Sequence, residues 1–564
     1  MSGEKTDTAN KTYIKWNDIL KGTPDGVILE RMDPDEIEDA FSGNISFGTG
    51  GLRGVMGLGT NRLNRYTVER VTHGLAKTIL SDEPSKSAGI AYDTRHNSKE
   101  FAQIVAGLLS AYGISVYIFN KPMPTPALSF AVQYLKLGWG VCITASHNPQ
   151  EYNGYKVYDC YGVQVTDALA AKITGEIDNI EYFEPTPKGQ TAAVKTVENE
   201  VVEAYFKEIL NYINPVSATG TGLRASRTVP LDVNSSGSAA SYPFVYSALH
   251  GAGANAVPAV LEKLGFKPIC VEQSPDGAFG GLKTPNPEEP VVYENALKTA
   301  KIVDAKLLLA TDPDCDRVGV MVKSNDRFVL LDGNQIGALL IDYLATVKGV
   351  SKGDTVISTI VSGLLGEMIA KDHGLDFVRL LTGFKYIGEH IVRLPKNRQF
   401  FFGYEESYGY LAGDGAKDKD AVIASALIVK MAEYYDSKGK TLVDRFMELC
   451  EKHGYCVESL FSANVPQRKQ KEIMKQLRST AAIDNMMRSE DHLHGLNGLP
   501  PADVFKLYFT DNTNNSYIKA WAAVRPSGTE PKLKLYTGVH AKTQKAAEQA
   551  LKSLTKKMTA LLGV

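Results

Sequence analysis

No two cysteines of this chain form a C-x-x-C pair or take zinc-ribbon spacing; the six present, at 142, 160, 270, 315, 450 and 456, are scattered over 564 residues. That argues against a disulfide scaffold or a zinc module and leaves reduced thiols in a cytoplasmic protein as the simplest reading. No apolar run reaches the roughly 18 residues a membrane-spanning helix needs. The opening MSGEKTDTANKTYIKWNDIL has no basic stretch followed by an apolar core, so neither a secretory leader nor an anchor is expected. An excess of one charge is missing too: 62 Lys plus Arg stand against 64 Asp plus Glu, a net charge of -2, which gives no global attraction to nucleic acid or to an anionic membrane.

What is present is the balance of an ordinary globular protein, 43% apolar and 22% charged. The length implies several domains of about 100 to 200 residues each. Short apolar runs alternate with helical patterns: SAGIAYDT (87–94), then SKEFAQIVAGLLSAYG (98–113), ISVYIF (114–119) and WGVCIT (139–144). The theme returns around 242–266, 305–312, 354–360 and 399–407. Strand-helix-strand alternation predicts parallel α/β sheets. After about residue 456 the order becomes strand, helix, strands, helix, which predicts a smaller α+β domain. FEPTPKGQTAAVKT (183–196) reads as a boundary or a surface loop.

Several loops carry chemistry. In TDPDCDRVGV (311–320), Asp312, Asp314 and Asp316 alternate, so three carboxylates can converge on one hard cation. An EF-hand is excluded because Arg317 stands at the sixth position and Lys323 at the twelfth. An acidic turn after a strand is the bland alternative, although three carboxylates this close repel one another without a cation. RPSGTEPKLK (525–534) is either a phosphate cradle, with the Arg525 fork and the hydroxyls and amides of Ser527, Gly528 and Thr529, or an ordinary turn with an exposed arginine. FGTGGLRGVMGLGTNRLN (47–64) presents Arg53 among glycines; it fails both the dinucleotide and the Walker patterns, which leaves an oxyanion loop or a flexible connection.

In GYEESYGYLAGDGAKDKDA (403–421), Glu405 and Ser407 fall on one side of an extended segment, where they suit neighbouring sugar hydroxyls or simply solvent. Lys417 and Lys419 serve an anionic ligand or balance Asp418 and Asp420. At Thr144-Ala145-Ser146-His147-Asn148 the G-x-S-x-G elbow of a serine hydrolase is absent, and an adjacent histidine does not easily reach its neighbour's Oγ in triad geometry. If the three aspartates hold a cation, Ser146, or a phosphoryl group on it, is a natural fourth ligand. His492 and His494 of DHLHG read as solvated surface.

Taken in order, TASHNP, DPDCDR, GYEES and RPSGTEPK, with GTGGLRG upstream and YNGYK in place, resemble the loops of the α-D-phosphohexomutase superfamily, over nearly the whole chain. The resemblance implies three similar mixed-sheet α/β domains (1–200, 201–325 and 326–455) plus a C-terminal α+β domain (456–564) around a central active-site cleft. It implies a phosphorylated Ser146, Mg²⁺ on Ser146, Asp312, Asp314 and Asp316, and Arg53, His147 and Lys156 about the phosphoserine. Arg317 would stand beside the transferring phosphate, Glu405 and Ser407 on sugar hydroxyls, and Arg525, Ser527, Gly528 and Thr529 on the non-reacting phosphate. Thr382, Gly383 and Lys419 would belong to third-domain substrate loops.

The implied reaction interconverts glucose 1-phosphate and glucose 6-phosphate, with glucose 1,6-bisphosphate as intermediate and activator; pentose or mannose phosphates are the alternative substrates. Small-molecule sugar phosphates would be the partners of a monomer or dimer. A non-catalytic sugar-phosphate sensor is the reading from a different class. The metal loop here is D-P-D-C-D where the family often has D-G-D-G-D, and GYEES with FGTGGLRG resembles the larger branch of the superfamily.

Overall fold

The computed structural model describes residues 2–48, 50–81, 85–189, 191–214, 242–272, 274–480, 483–510, 519–527 and 532–564, with side chains from residue 8 onward. The described residues hold four sheets. The first contains β1 (Leu52–Val55), β2 (Ser87–Tyr92), β3 (Ser115–Ile118), β4 (Trp139–Ile143), β5 (Tyr152–Tyr158) and β6 (Val194–Thr196), in the order β1-β5-β4-β2-β3-β6. β2 runs parallel to β3 and β4, while β5 is antiparallel to β4 and β1. Strands β2 and β4 are buried along their whole length, as continuous apolar runs in a helix-covered parallel sheet require. β6 lies inside the stretch read as a boundary or loop and pairs with β3.

The pattern recurs twice. β7 (Phe244–Ser247), β8 (Ile269–Cys270), β9 (Leu307–Thr311), β10 (Val318–Ser324) and β11 (Arg327–Leu331) take the order β11-β10-β9-β7-β8. β12 (Asp354–Thr359), β13 (Asp376–Leu380), β14 (Gln399–Glu405) and β15 (Gly409–Ala412) take the order β13-β12-β14-β15, with only the last pair antiparallel. In each block one chemistry-bearing loop follows the corresponding strand: Ser146 after β4, the aspartates after β9, Glu405 at the end of β14. Such loops lie at carboxyl ends of strands, where α/β sheets carry their sites.

The fourth sheet, β16 (Tyr455–Asn464), β17 (Met486–Asp491), β18 (Phe505–Phe509), β19 (Lys519–Pro526) and β20 (Lys532–Ala541), is antiparallel throughout, in the order β16-β20-β19-β18-β17. Alternation along its strands splits two cores. Phe505, Leu507, Ala522, Val524 and Leu535 pack with helices Gln467–Ser479 and Gln544–Leu562, whereas Trp521, Ala523 and Tyr536 point to the other face, into a cluster with Ile360, Val361 and Leu381 of the third block.

Three N-terminal helices, Ser2–Leu20, Pro24–Leu29 and Pro34–Phe41, precede the first sheet. Thr23 caps the second, and Asp33 with Glu36 closes a capping box on the third. Buried Trp16 holds them through edge contacts to Phe41, Tyr66, Tyr182 and Phe183 at 5.0–5.6 Å between ring centroids. His492 departs from its reading as solvated surface. It is buried, because the turn folds back on it: its carbonyl accepts from the amides of Gly495 and Ala502, and its own amide donates to Val504. His494 is exposed.

Chain contacts divide the molecule into two compact units. One comprises Met1–Pro215, Ala239–Gly319 and Gly413–Ala426; the other includes Val320–Ala412 and Leu427–Val564. The boundary falls within β10, and the chain re-enters the first unit for the fourteen residues of Gly413–Ala426 before returning. That re-entrant segment is fastened by Gln133 Nε2 to the Gly415 carbonyl (3.0 Å), Tyr158 OH to Asp418 (2.9 Å) and Tyr205 OH to Asp420 (2.9 Å).

Candidate active site

In the first unit the loop after β4 is held open from beneath. Asp93, at the end of β2, accepts from Thr144 Oγ1 (2.7 Å), Ser98 Oγ (2.6 Å) and the Arg95 amide (3.0 Å). Arg95 donates to the carbonyls of Ser146 (2.9 Å), Asn148 (2.9 Å) and Pro149 (2.5 Å), and Phe279 covers its guanidinium at 4.6 Å. Burial raises the Asp93 pKa and lowers that of Arg95; their mutual attraction opposes both shifts. Three carbonyls on one guanidinium force a tight turn, and Ser146 takes the left-handed region with φ 51°.

Sequence reasoning missed Asp93 and Arg95. The available signal was a charged pair, DTR, immediately after a largely apolar strand.

That turn aims Ser146 Oγ at the loop after β9: it donates to Asp312 Oδ2 at 2.6 Å. It also lies 3.3 Å from His147 Nδ1, a contact through the ring nitrogen that a hydrolase triad turns toward its carboxylate, so the arrangement is not triad geometry. The aspartate loop wraps around its first carboxylate, Asp312 Oδ1 accepting from the amides of Asp316 and Arg317. Asp314 Oδ2 accepts from Lys156 (2.7 Å) and Thr125 (3.0 Å), and Asp316 Oδ2 lies 3.2 Å from the Lys156 ammonium and 3.1 Å from that of Lys419. Lys156 reaches the loop because β5 pairs it with Cys142 of β4. Arg317 pairs with Glu288 (2.9 Å), and Arg53, paired across β1 and β5 with Gly154, donates to Asn148 Oδ1 at 2.7 Å.

The electrostatics are those of a cation site. One oxygen from each of Asp312, Asp314 and Asp316 can be chosen so that all lie within 4.8 Å of one another, and all three residues are buried. Burial, then repulsion from Asp314 and Asp316, pushes the Asp312 pKa well above the ordinary carboxylate range. Burial pushes Asp316 the same way, but Lys419, Lys156 and Arg317 outweigh it and hold that group low. Burial lowers and Asp314, Asp316 and Asp418 raise the pKa of Lys156, with a net rise. Asp314 Oδ1 and Asp316 Oδ1 are buried and accept no hydrogen bond among the described residues. Three hard carboxylates with two orphaned oxygens, beside a serine oxygen, fit Mg²⁺ and leave it open to a further oxygen ligand.

In the second unit, Glu405 Oε1 accepts from the Gly383 amide at 2.8 Å, so the GYEES loop and the Thr382-Gly383 turn meet. Gly383 has φ 121°, a conformation that side-chain-bearing residues rarely adopt. Thr382 Oγ1 is buried without a hydrogen-bond partner among the described residues, and Ser407 is half-buried. Arg525, near the end of β19, hydrogen-bonds the buried Tyr536 hydroxyl, whose pKa is raised by burial and by Glu406 and Glu405 against the pull of Arg525. Ser527 N donates to the Lys532 carbonyl at 2.8 Å; Gly528 and Thr529 lie outside the described residues. Lys419, assigned by resemblance to a third-domain substrate loop, lies in the first unit, on Asp316 and Asp418.

Four consecutive family descriptions match the chain: phosphoglucomutase/phosphomannomutase alpha/beta/alpha domain I over residues 44–184, domain II over 226–325, domain III over 332–453 and the C-terminal domain over 467–555. A phosphoglucomutase of Staphylococcus epidermidis is 34% identical over 552 residues, covering 93% of this chain and 96% of that protein. One from Staphylococcus aureus is 33% identical over 538 residues, covering 90% and 92%.

The chain belongs to the α-D-phosphohexomutase superfamily.

Solved structures agree on the fold. A putative phosphomannomutase from Thermus thermophilus superposes with a TM-score of 0.67 at 22% identity, over 92% of this chain and 99% of that one. Parafusin, a phosphoglucomutase from Paramecium in its open form, gives 0.68 at 15% identity, over 92% and 94%. The protein is thus a phosphohexomutase-family isomerase with three mixed α/β sheets and a C-terminal antiparallel sheet. The family acts on sugar phosphates, and the buried Asp312, Asp314 and Asp316 cluster is consistent with its Mg²⁺ site. Among the described residues no helix is long and apolar enough to cross a membrane.

Proposed function

We propose that this phosphohexomutase is a phosphoglucomutase that interconverts glucose 1-phosphate and glucose 6-phosphate through a phosphoserine at Ser146. The observation that carries the reading is the 2.6 Å approach of Ser146 Oγ to a buried three-carboxylate cluster with two orphaned oxygens. A sensor needs sugar recognition but has no use for that pairing. Glucose as the sugar is supported by the phosphoglucomutase relatives at 33–34% identity. Domain limits of 1–200, 201–325, 326–455 and 456–564 are proposed with it, the third lending Gly413–Ala426 to the first unit.

The reading assigns transfer to the first unit and recognition to the second. A sugar hydroxyl oxygen attacks the phosphorus as the bond to Ser146 Oγ breaks, and the hydroxyl proton passes to a nearby base, for which His147 is proposed. Return of the other phosphate of the bisphosphorylated sugar to Ser146 completes the cycle. Phosphoryl transfer is chiefly positioning and charge stabilisation, and Lys156, Arg53 and Arg317 are proposed to neutralise the transferring group. Mg²⁺ held by Asp312, Asp314, Asp316 and the serine oxygen would supply further positive charge to that group. Lys419 is proposed to keep the acidic loop in shape. Glu405 and Ser407 would grip ring hydroxyls in either orientation, beside Thr382 and Gly383, and Arg525, Ser527, Gly528 and Thr529 would hold the non-reacting phosphate.

The test is kcat/KM for glucose 1-phosphate, ribose 1-phosphate and mannose 1-phosphate, each with catalytic glucose 1,6-bisphosphate. Glucose 1-phosphate should lead; a pentose or mannose phosphate in first place would replace the sugar, and no turnover of any would sink the reading.

A further inference from the structure

The second unit contains a buried amine that the transfer chemistry does not use. Lys506 is only 3% exposed. Alternation along β18 turns Phe505, Leu507 and Phe509 toward the two helices and Lys506 to the opposite face, where its ammonium lies 4.5 Å from the Trp521 ring centroid and 5.2 Å from that of Tyr508. Among the described residues it forms no ion pair; its hydrogen bond is to the Ile360 carbonyl, at 2.5 Å.

Ile360 belongs to the turn after β12, whose carbonyls converge on two cations. Arg379 of β13 takes those of Thr359 (2.9 Å), Ser362 (2.9 Å) and Gly363 (3.0 Å) and is itself paired with Glu367 (2.9 Å); Lys506 takes that of Ile360 from the C-terminal sheet. The other side of the same turn holds the GYEES loop. Thr359 Oγ1 and Ser362 Oγ lie 2.9 Å apart, and both donate to Glu406 Oε2, at 3.1 and 3.2 Å. Glu406 stands between Glu405 and Ser407.

We propose that Lys506 is a positioning residue for sugar binding: it pins the 359–363 turn to the C-terminal sheet, and the turn, through Thr359, Ser362 and Glu406, sets where Glu405 and Ser407 stand. The inference rests on the proposed role of those two residues. Stability does not account for a lysine here. Burial lowers its pKa from the ordinary value to about 7, a sign that the charged form is disfavoured, and a methionine of similar reach would fill the apolar cluster without a charge to bury. What methionine cannot supply is the donor to Ile360.

The experiment compares Lys506→Met, Thr359→Val and Thr359→Ser in the full-length enzyme, reading KM and kcat for glucose 1-phosphate together with melting temperature. Lys506→Met should raise KM about 5- to 10-fold with kcat within about twofold, while melting at or above the wild-type temperature. Thr359→Val, which keeps shape and removes the hydroxyl, should raise KM similarly, and Thr359→Ser should restore it. The Lys506→Met/Thr359→Val pair should be no worse than the weaker single variant, because both cut one path. A KM within twofold of wild type for Lys506→Met, or multiplying effects in the pair, would overturn the proposal. If Lys506→Met does not fold, the Val and Ser variants at 359 decide it alone. Glu405→Gln separates the two levels: if it leaves KM unchanged, the sugar-loop reading itself falls, whereas a raised KM there with unaltered Thr359→Val and Lys506→Met sinks only the present inference.

Discussion

The aspartate loop and the GYEES loop follow equivalent strands of similar sheets, yet they are held in opposite ways. Oxygens of Asp312, Asp314 and Asp316 are met by distant side chains, 103 to 189 residues away, the ammonium groups of Lys156 and Lys419 and the hydroxyls of Ser146 and Thr125. Glu405 and Glu406 are met by a backbone amide and two hydroxyls only 22 to 47 residues distant, within one sheet layer. Charged groups in a dry site are strongly interdependent, because removing one leaves its partner buried and uncompensated. Neutral donors on a local turn can be exchanged at smaller cost. The proposed transfer centre therefore has little freedom to vary, while the proposed sugar loop can be retuned by small changes in its support.

Substitutions should grade accordingly. Ser146→Ala should lower kcat at least about 10³-fold without unfolding the protein, read by coupled assay and circular dichroism; near-normal turnover would erase the distinction between the loops. Chelation of divalent metal should abolish turnover, and added Mg²⁺ should restore it. Arg95→Met, which removes three carbonyl contacts, should cost about 10²-fold in kcat through misplacement of Ser146, with Arg95→Lys recovering part; an effect confined to KM would argue that the turn is not what Arg95 sets. On the other side, Glu405→Gln should act mainly on KM, by roughly tenfold, and a loss dominated by kcat would make the two loops alike after all.

The smallest effect expected is on stability, and it sharpens the account of Lys506. Its folded pKa of about 7 lies below the unfolded value near 10.5, so between those limits the unfolded chain binds more protons, and the lysine's burial penalty, full at and below about pH 7, is relieved as pH rises. Arg379, Arg488, Glu490 and Glu367 are the charged groups that bear on it. Lys506→Met should therefore melt a few degrees above wild type at pH 6.5, with the gap narrowing by pH 9.5 in a fluorimetric melt. A gap independent of pH would mean that the amine is not the source of the difference.

Much of the fold was legible because buried parallel strands are written as unbroken apolar runs, and SAGIAY, WGVCI and LLLAT became β2, β4 and β9. The chemistry-bearing loops stood out because alternating carboxylates or clustered glycines have few other uses. Asp93 and Arg95 were not legible: a single charged pair after a strand has the composition of any surface turn, and only the tertiary course of the chain shows it beneath Ser146. The re-entry of Gly413–Ala426 was hidden for a similar reason. Its ties to Gln133, Tyr158 and Tyr205 span 215 to 282 residues, a range over which local pattern carries no signal. Likewise, nothing in DHLHG foretold that His492 would be buried under its own turn.

The re-entrant segment also bears on how the protein comes into being. As the chain emerges from the ribosome, every strand of the first sheet is complete by Thr196 and the acidic turn by Asp316, yet the second ammonium for that turn, and the carboxylates that Tyr158 and Tyr205 await, arrive only with residues 418 to 420. The proposed transfer centre is therefore finished late, after the third sheet has been synthesised, and no cut of the gene at the β10 boundary would yield an amino-terminal fragment with that centre whole.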